Sequence, residues 1–157
     1  TEKLIEEGDL FIIDTGSVFD SYYCDFDRNY AFGYICDEAK KAYRVAYEAT
    51  EAGFKACQAG NTTTDVFNAM NDVLQKGGAL GNTVGRLGHG LGMQLTEWPS
   101  NTATDNTVLE PGVVLTLEPG MAFLPGKEMV HEENIVITDD GPEWLSIRAA
   151  DELPVIQ

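Results

Sequence analysis

Basic side chains are scarce in this sequence. Its 157 residues include 10 lysines and arginines against 26 aspartates and glutamates, which gives a formal net charge of −16. A surface this acidic repels polyphosphate chains and anionic lipid headgroups, so we expect no nucleic acid and no membrane as a partner. The same charge suits a protein that carries cations.

Cysteine is also rare, and long apolar runs are missing. Cys24, Cys36 and Cys57 form no Cys-x-x-Cys pair. Such a sparse, odd set is typical of a reducing compartment, and we expect a cytoplasmic protein. No stretch approaches the ~20 apolar residues that a membrane-spanning helix needs. The chain opens with neither an initiator Met nor a signal peptide, so we expect it to be cut from a longer polypeptide.

Apolar residues are frequent enough to build a core, at 43% of a chain of one domain's length. Their spacing predicts strands, then two helices, then strands, which is typical of an α+β fold with a mostly antiparallel sheet and helices on one face. A β-meander is predicted over residues 8–33. The predicted strands are 10–14, 22–27, 29–32, 113–118 and 129–138. The predicted helices run from 37 to about 59 and from 63 or 64 to 77–78, and residues 139–141 form a hairpin turn.

Four acidic side chains and one imidazole lie in or beside the short apolar, β-branched runs: Asp14, Asp25, His89, Glu118 and Glu132. Such runs are typical of strands. Acids within strands point into the protein, and a buried carboxylate needs a partner. A pair of divalent cations is the simplest partner for this set, and Mn, Co, Fe and Zn all accept such ligands.

Each motif also has an ordinary explanation when it is taken alone. Asp14 stands before Thr-Gly and could form an Asx turn. Asp25 and Asp27 flank one residue and so share a strand face, and one of them could be a surface acid paired with Arg28. The histidine could be a hydrogen-bonded structural residue, and a glutamate before Pro-Gly could be a rim charge.

The order and spacing of the motifs are far more specific than any single one. Asp-x10-Asp is followed by Gly-His-Gly-x-Gly, by Glu-Pro-Gly and by Glu-Glu-Asn-Ile-Val-Ile-Thr. This order resembles the pita-bread metallopeptidases, which include methionine aminopeptidase, Xaa-Pro aminopeptidases and dipeptidases, and creatinase. Tyr-x-x-Asp-x-x-Arg and Glu-Trp-Pro bring it nearest to the Xaa-Pro branch. The resemblance implies a curved, mostly antiparallel sheet with outer helices, and residues 1–157 as the C-terminal part of one catalytic domain.

The resemblance also implies a role for each of the five residues. Asp14 would chelate one metal, Asp25 and Glu132 would bridge both metals, and His89 and Glu118 would complete the second site. Two divalent ions are therefore expected, with Mn favoured.

Two neighbouring acids are alternatives within this ligand set. The register of the last strand selects Glu132 over Glu133, and a slip of one residue would reverse that choice. Asp27 is the alternative that the spacing favours less. In the expected chemistry, paired cations activate a bridging hydroxide that attacks a peptide carbonyl, with Glu118 as general base and then acid.

Two positions depart from the family pattern. Thr96 stands where peptidases of the family place a second histidine, and by that position it is expected to bind substrate. Ser100 stands where proline-specific dipeptidases often place an arginine. No lysine or arginine occurs between Arg86 and Lys127, so capture of a substrate carboxylate in the prolidase manner is not expected.

Three functions follow from these observations. The leading one is a dinuclear metal-dependent peptidase of Xaa-Pro aminopeptidase or dipeptidase type, acting on small peptides. The second is a creatinase-like hydrolase or lyase acting on a small non-peptide amide, which Thr96 and Ser100 favour. The third is a non-catalytic pita-bread binding module, against which the full ligand set argues. The oligomeric state is open, with a homodimer as one alternative.

Overall fold

The computed structural model describes residues 2–81 and 85–157, and within them it contains ten strands and two helices. The strands are β1 (Leu10–Phe19), β2 (Tyr22–Phe32), β3 (His89–Gly90), β4 (Glu97–Ser100), β5 (Val114–Leu117), β6 (Gly120–Leu124), β7 (Lys127–Val130), β8 (Glu133–Thr138), β9 (Gly141–Trp144) and β10 (Val155–Ile156). The helices are α1 (Asp37–Ala56) and α2 (Thr63–Gly77).

The N-terminal strands form one long antiparallel hairpin, β1–β2, and β10 adds to β2 in parallel. The turn is made by Asp20 and Ser21, whose φ values of 49° and 71° match the positive φ that tight hairpin turns need. The prediction of two short strands over 22–32 is wrong. β2 continues through residue 28 because its alternate residues, including Asp25 and Asp27, are buried along one face.

The two helices begin where the spacing predicts. Thr62 caps α2 with a full capping box, because its side chain accepts from the Asp65 N–H and the Asp65 carboxylate accepts in return. Gly78 ends α2 in the left-handed conformation, as expected of a C-terminal glycine. α1 ends at Ala56, three residues before the predicted end.

The C-terminal strands divide between two sheets. The larger sheet has the order β4-β3-β5-β8-β9, and β6 pairs with β7 in a separate hairpin. The predicted single strand over 129–138 is therefore wrong: β7 and β8 belong to different sheets, and His131 and Glu132 lie between them. The predicted hairpin turn after Thr138 is confirmed by the β8–β9 pairing.

The core lies between the helices and the outer face of the sheets. α1 packs against α2 and against β5, β6 and β7. The approach is close at Gly53, where an added Cβ would lie 2.7 Å from the Met70 side chain and 3.4 Å from that of Leu117. The predicted α+β arrangement, mostly antiparallel with helices on one face, is confirmed. Neither described helix is long and apolar enough to cross a membrane.

Candidate metal centre

The five predicted ligands come from five separate places in the chain and meet at one site. Asp14 lies on β1, Asp25 on β2 and His89 on β3, while Glu118 follows β5 and Glu132 lies between β7 and β8. Leu117 faces the helices, and its neighbour Thr116 turns to the other side, where its hydroxyl accepts from the His89 backbone N–H at 3.1 Å. The site is therefore on the side of the sheets opposite the helices.

The imidazole of His89 is oriented so that one ring nitrogen is available to a metal ion. Its Nδ1 lies 2.9 Å from the Gly90 carbonyl oxygen, which can only accept, so Nδ1 carries the proton. Nε2 faces Oδ2 of Asp25 at 3.7 Å and Oε2 of Glu118 at 3.9 Å. Burial lowers the pKa of His89, so the neutral ring with an unprotonated Nε2 is favoured.

Two groups of three side chains have the geometry of adjacent metal positions. In the first, Asp25, His89 and Glu132 each offer a ligand atom within 4.8 Å of the others. In the second, Asp14, Asp27 and Glu132 do the same. Glu132 belongs to both groups, which is the arrangement that a bridging carboxylate would have.

The carboxylates of this site are crowded and poorly compensated. Burial and the neighbouring carboxyl groups of Glu118, Asp25, Asp27 and Asp14 raise the pKa of Glu132 to about 10. Burial and three of these carboxyl groups raise the pKa of Asp27 to about 7, against the lowering effect of Arg28. Burial also raises the pKa of Asp25, against the lowering effects of His89 and Arg86, and the pKa of Glu118, against that of Arg86. Such a cluster is stable as anions only if cations enter it.

Unsatisfied oxygens mark where the cations would bind. Among the described residues, Oδ1 of Asp27, Oε2 of Glu118 and Oε1 of Glu132 are buried and have no hydrogen-bond partner. A buried acceptor without a partner costs about 1–3 kcal/mol, and more when it is charged. Carboxylate oxygens together with one imidazole nitrogen are a donor set that divalent Mn, Co, Fe and Zn accept, so the residues fit such ions.

Two side chains hold the candidate ligands in place: Asn134, for which the sequence predicted no role, and Arg28, which was expected only as an ion-pair partner of an aspartate. The amide of Asn134 binds the backbone of Asp25 on both sides: its Oδ1 accepts from the Asp25 N–H at 3.0 Å, and its Nδ2 donates to the Asp25 carbonyl. Arg28 donates from Nη1 to the carbonyl oxygens of Asp27 and Glu132, at 2.8 and 3.1 Å. The sequence signal for Asn134 was a polar asparagine inside the apolar run of β8.

His131 fixes the segment that carries Glu132. Its Nδ1 lies 2.9 Å from Oγ1 of Thr50 on α1, and its ring packs edge-on against Tyr43 and Tyr47. This side chain therefore points into the helix layer, on the far side from the carboxylate cluster.

Glu133 is buried on a different side from Glu132. Its carboxylate accepts from Nη2 of Arg28 at 3.1 Å, from the Ser146 hydroxyl at 2.7 Å and from the Ala149 N–H at 2.7 Å. Among the described residues, neither three-residue metal group includes it. The alternative that Arg28 pairs with an aspartate side chain of β2 is wrong, because its carboxylate partner is Glu133.

Thr96 and Ser100 lie at the two ends of the segment leading through β4. Thr96 is exposed in the bend before β4, on a loop whose Gly92 carbonyl accepts from the Tyr23 N–H at 2.8 Å. This contact places the loop beside the strand that carries Asp25. Ser100 is half-buried, and its backbone N–H donates to Asp105. Their roles towards a substrate stay predictions.

Comparison with known proteins identifies the class to which this fold and site belong. The model of metallopeptidase family M24 matches residues 1–140, and the chain belongs to that family. It is 31% identical over 147 residues to an Xaa-Pro dipeptidase of Pyrococcus furiosus, with 93% of this chain and 42% of the relative covered. It is 36% identical over 143 residues to an uncharacterized peptidase of Bacillus subtilis, covering 90% of this chain and 40% of the relative.

Solved structures agree with the family. The X-Pro aminopeptidase of Thermotoga maritima superposes with a TM-score of 0.91 at 29% identity, covering 99% of this chain and 44% of that one. The fold is thus the pita-bread fold, and the resemblance drawn from the motifs is confirmed. The N-terminal domain of the SPT16 subunit of the chickpea FACT complex also matches, with a TM-score of 0.85 at 18% identity over 96% of this chain and 38% of that one, and shares the fold alone. The chain spans about 38–42% of the length of the curated relatives it matches.

Proposed function

We propose that this protein is a dinuclear metal-dependent peptidase of the Xaa-Pro type. The observation that supports this most strongly is the pair of three-residue groups that share Glu132. By the family resemblance, Asp14 would hold one ion, Asp25 and Glu132 would be shared by both ions, and His89 and Glu118 would complete the second position; the geometry supports the shared role for Glu132, whereas Asp25 lies in the group with His89. Mn²⁺ is the favoured ion.

The bound ions would supply Lewis-acid activation of a water molecule and of the scissile carbonyl. The residues of the chain supply orientation and proton transfer. The fixed tautomer of His89 presents Nε2 to the site, and Asn134 holds the strand that carries Asp25. Glu118 is half-buried with a free oxygen, and burial raises its pKa, as suits a general base. It takes the proton of the attacking water and returns it to the leaving amine.

The proposed substrates are short peptides with proline at the second position. Relatives with about 31% identity are named Xaa-Pro dipeptidases, which supports this class. A free dipeptide, however, places a carboxylate next to the scissile bond, and a bidentate arginine is the strong, directional partner for that group. Ser100 cannot replace it, and the exposed Thr96 can donate a hydrogen bond but carries no charge. We therefore expect longer peptides to be better substrates than free Xaa-Pro dipeptides.

Steady-state assays with Mn²⁺ on Gly-Pro, Ala-Pro-Ala, a Met-peptide and creatine would test this function, with Glu118→Gln as the inactive control. We expect the tripeptide to be cleaved with the highest kcat/KM. A dipeptide kcat/KM of about 10⁴ M⁻¹s⁻¹ or more, within the usual enzyme range, would contradict the substrate proposal. Turnover of creatine alone would favour the second candidate, a hydrolase of small amides. That candidate is supported by Thr96 and Ser100, which stand where peptidases of the family have a histidine and often an arginine. Metal binding without turnover of any substrate would point to a binding module.

A further inference from the structure

We propose that Asp27 is a sixth protein ligand of the metal centre, on the same ion as Asp14. The proposal rests on the proposed metal-binding function and goes beyond it, since the expected ligand set has four carboxylates and one imidazole. With Asp27 the centre would have five carboxylates and one imidazole. The added negative charge would be concentrated at the ion that lacks the histidine.

The pairing of β1 and β2 brings Asp27 to the site. Asp14 and Asp27 are direct partners in the antiparallel register. Directly opposite residues have Cβ atoms about 4.5–5.5 Å apart on one face, and like charges at such positions destabilise a sheet. The two carboxylates also have ligand atoms within 4.8 Å of one another and of Glu132. A cation bound between the two carboxylates would attract both of them and so offset this repulsion.

Asp27 is buried in a way that its protein neighbours do not explain. The residue is 5% exposed. Within residues 2–81 and 85–157, its Oδ1 has no hydrogen-bond partner. By contrast, the exposed Glu48 on α1 pairs with Arg44 one turn away. An acid that is only structural would be expected to have its oxygens satisfied.

The arginine next in sequence does not neutralise Asp27. The guanidinium of Arg28 binds the carboxylate of Glu133 and the carbonyl oxygens of Asp27, Glu132 and Ile147. It thus fixes the backbone of Asp27 while leaving the side chain directed into the cluster. No lysine or arginine side chain in the described part of the chain forms an ion pair with the Asp27 carboxylate.

The competing explanation is a shared proton. Asp27 could stay protonated and donate a hydrogen bond to Asp14 with no role in metal binding. Asp27→Asn separates the two explanations, because asparagine keeps the shape and a donor while it loses the anionic ligand. Asp20→Asn is the matched control, since Asp20 is an exposed aspartate in the turn of the same hairpin and asparagine tolerates its positive φ.

The experiment is a calorimetric titration of Mn²⁺ into the metal-free wild type, Asp27→Asn, Asp14→Asn and Asp20→Asn, with bound metal counted by elemental analysis. We expect Asp27→Asn and Asp14→Asn each to lower the affinity for the same one of the two Mn²⁺ ions by at least ~10-fold. This is the lower end of the loss in metal affinity caused by changing a residue that supports a metal ligand. Asp20→Asn should match the wild type. Removal of a buried, unpaired anion should also leave the melting temperature of metal-free Asp27→Asn equal to or above that of the wild type.

Three results would overturn the proposal. Unchanged Mn²⁺ affinities in Asp27→Asn would assign the side chain to a shared proton and leave the proposed function intact. A lower melting temperature or loss of folding in the metal-free variant would assign it a structural role. Failure of the wild type itself to bind Mn²⁺ would contradict the proposed function together with this ligand.

Discussion

Replacement of Glu132 and of Glu133 by alanine, one at a time, should separate metal binding from folding. Glu132 is shared by both three-residue metal groups, so its loss should weaken Mn²⁺ binding more than ~100-fold, beyond the 10–100-fold cost of removing a residue that only orients a ligand. Glu133 accepts from Arg28, Ser146 and Ala149, and its side chain is 0% exposed. Breaking a buried ion pair from one side costs about 3–5 kcal/mol.

The partner of Glu133 reduces that cost. The Arg28 side chain is 19% exposed, so water can solvate part of its charge. We therefore expect Glu133→Ala to lose about 3 kcal/mol, near the lower end of the range for buried pairs. At ~2–4 °C per kcal/mol for a chain of this size, the metal-free melting temperature falls by ~6–12 °C. Glu132→Ala should leave that temperature unchanged or raise it, because it removes a buried carboxyl group with an unpartnered oxygen.

The assay is differential scanning calorimetry of both metal-free variants, followed by Mn²⁺ titration of each. Glu133→Ala should lose less than ~10-fold in affinity, since Arg28 still has its contacts with the Asp27 and Glu132 carbonyls. The reverse pattern, with Glu133→Ala losing the metal and Glu132→Ala losing stability, would mean that the assignment of the two glutamates is wrong.

Three further predictions concern catalysis, a buried thiol and a helix cap. Glu118→Gln should keep the fold, as seen by circular dichroism, and lower kcat by about 10²–10⁴-fold, the usual worth of a general base; turnover within threefold of the wild type would exclude that role. Cys57 is fully buried and burial raises its thiol pKa to about 12, so a thiol reagent should titrate Cys24 and Cys36 in the native protein and Cys57 only after unfolding. Rapid native labelling of all three would contradict this packing. Thr62→Ala should cost ~1 kcal/mol of stability through the lost cap; an unchanged melting temperature would show that the capping box contributes nothing.

Local features of the fold could be predicted from the sequence because their causes are local. The start of α2 depends on a Thr62–Asp65 exchange of hydrogen bonds, and its end depends on the conformational freedom of Gly78. The turn after Thr138 follows from Asp-Asp-Gly between two apolar runs. The candidate ligands were recognisable for a different reason: the spacing and order of the acids resemble those of a known family. The family match confirms that resemblance, and the ligand roles stay proposals.

Other features could not be predicted because they depend on contacts between distant parts of the chain. The strand expected over 129–138 contains no Gly or Pro, and it divides because β7 and β8 join different sheets. Arg28 reaches Glu133 and Asn134 reaches Asp25 across more than 100 residues of sequence. The alternation of side chains along a strand predicted that only one of Glu132 and Glu133 faces inward. Both are buried, because tertiary packing covers them on different sides.

The proposed function depends on the carboxylates and the imidazole of His89 holding two divalent ions. The most direct test is the number of Mn²⁺ ions bound per chain at saturation, measured by elemental analysis after removal of free metal, beside a triple variant with Asp25→Asn, His89→Ala and Glu132→Gln. We predict two ions in the wild type and none in the triple variant. Fewer than two ions in the wild type at saturating Mn²⁺, or equal binding by the triple variant, would contradict the claim.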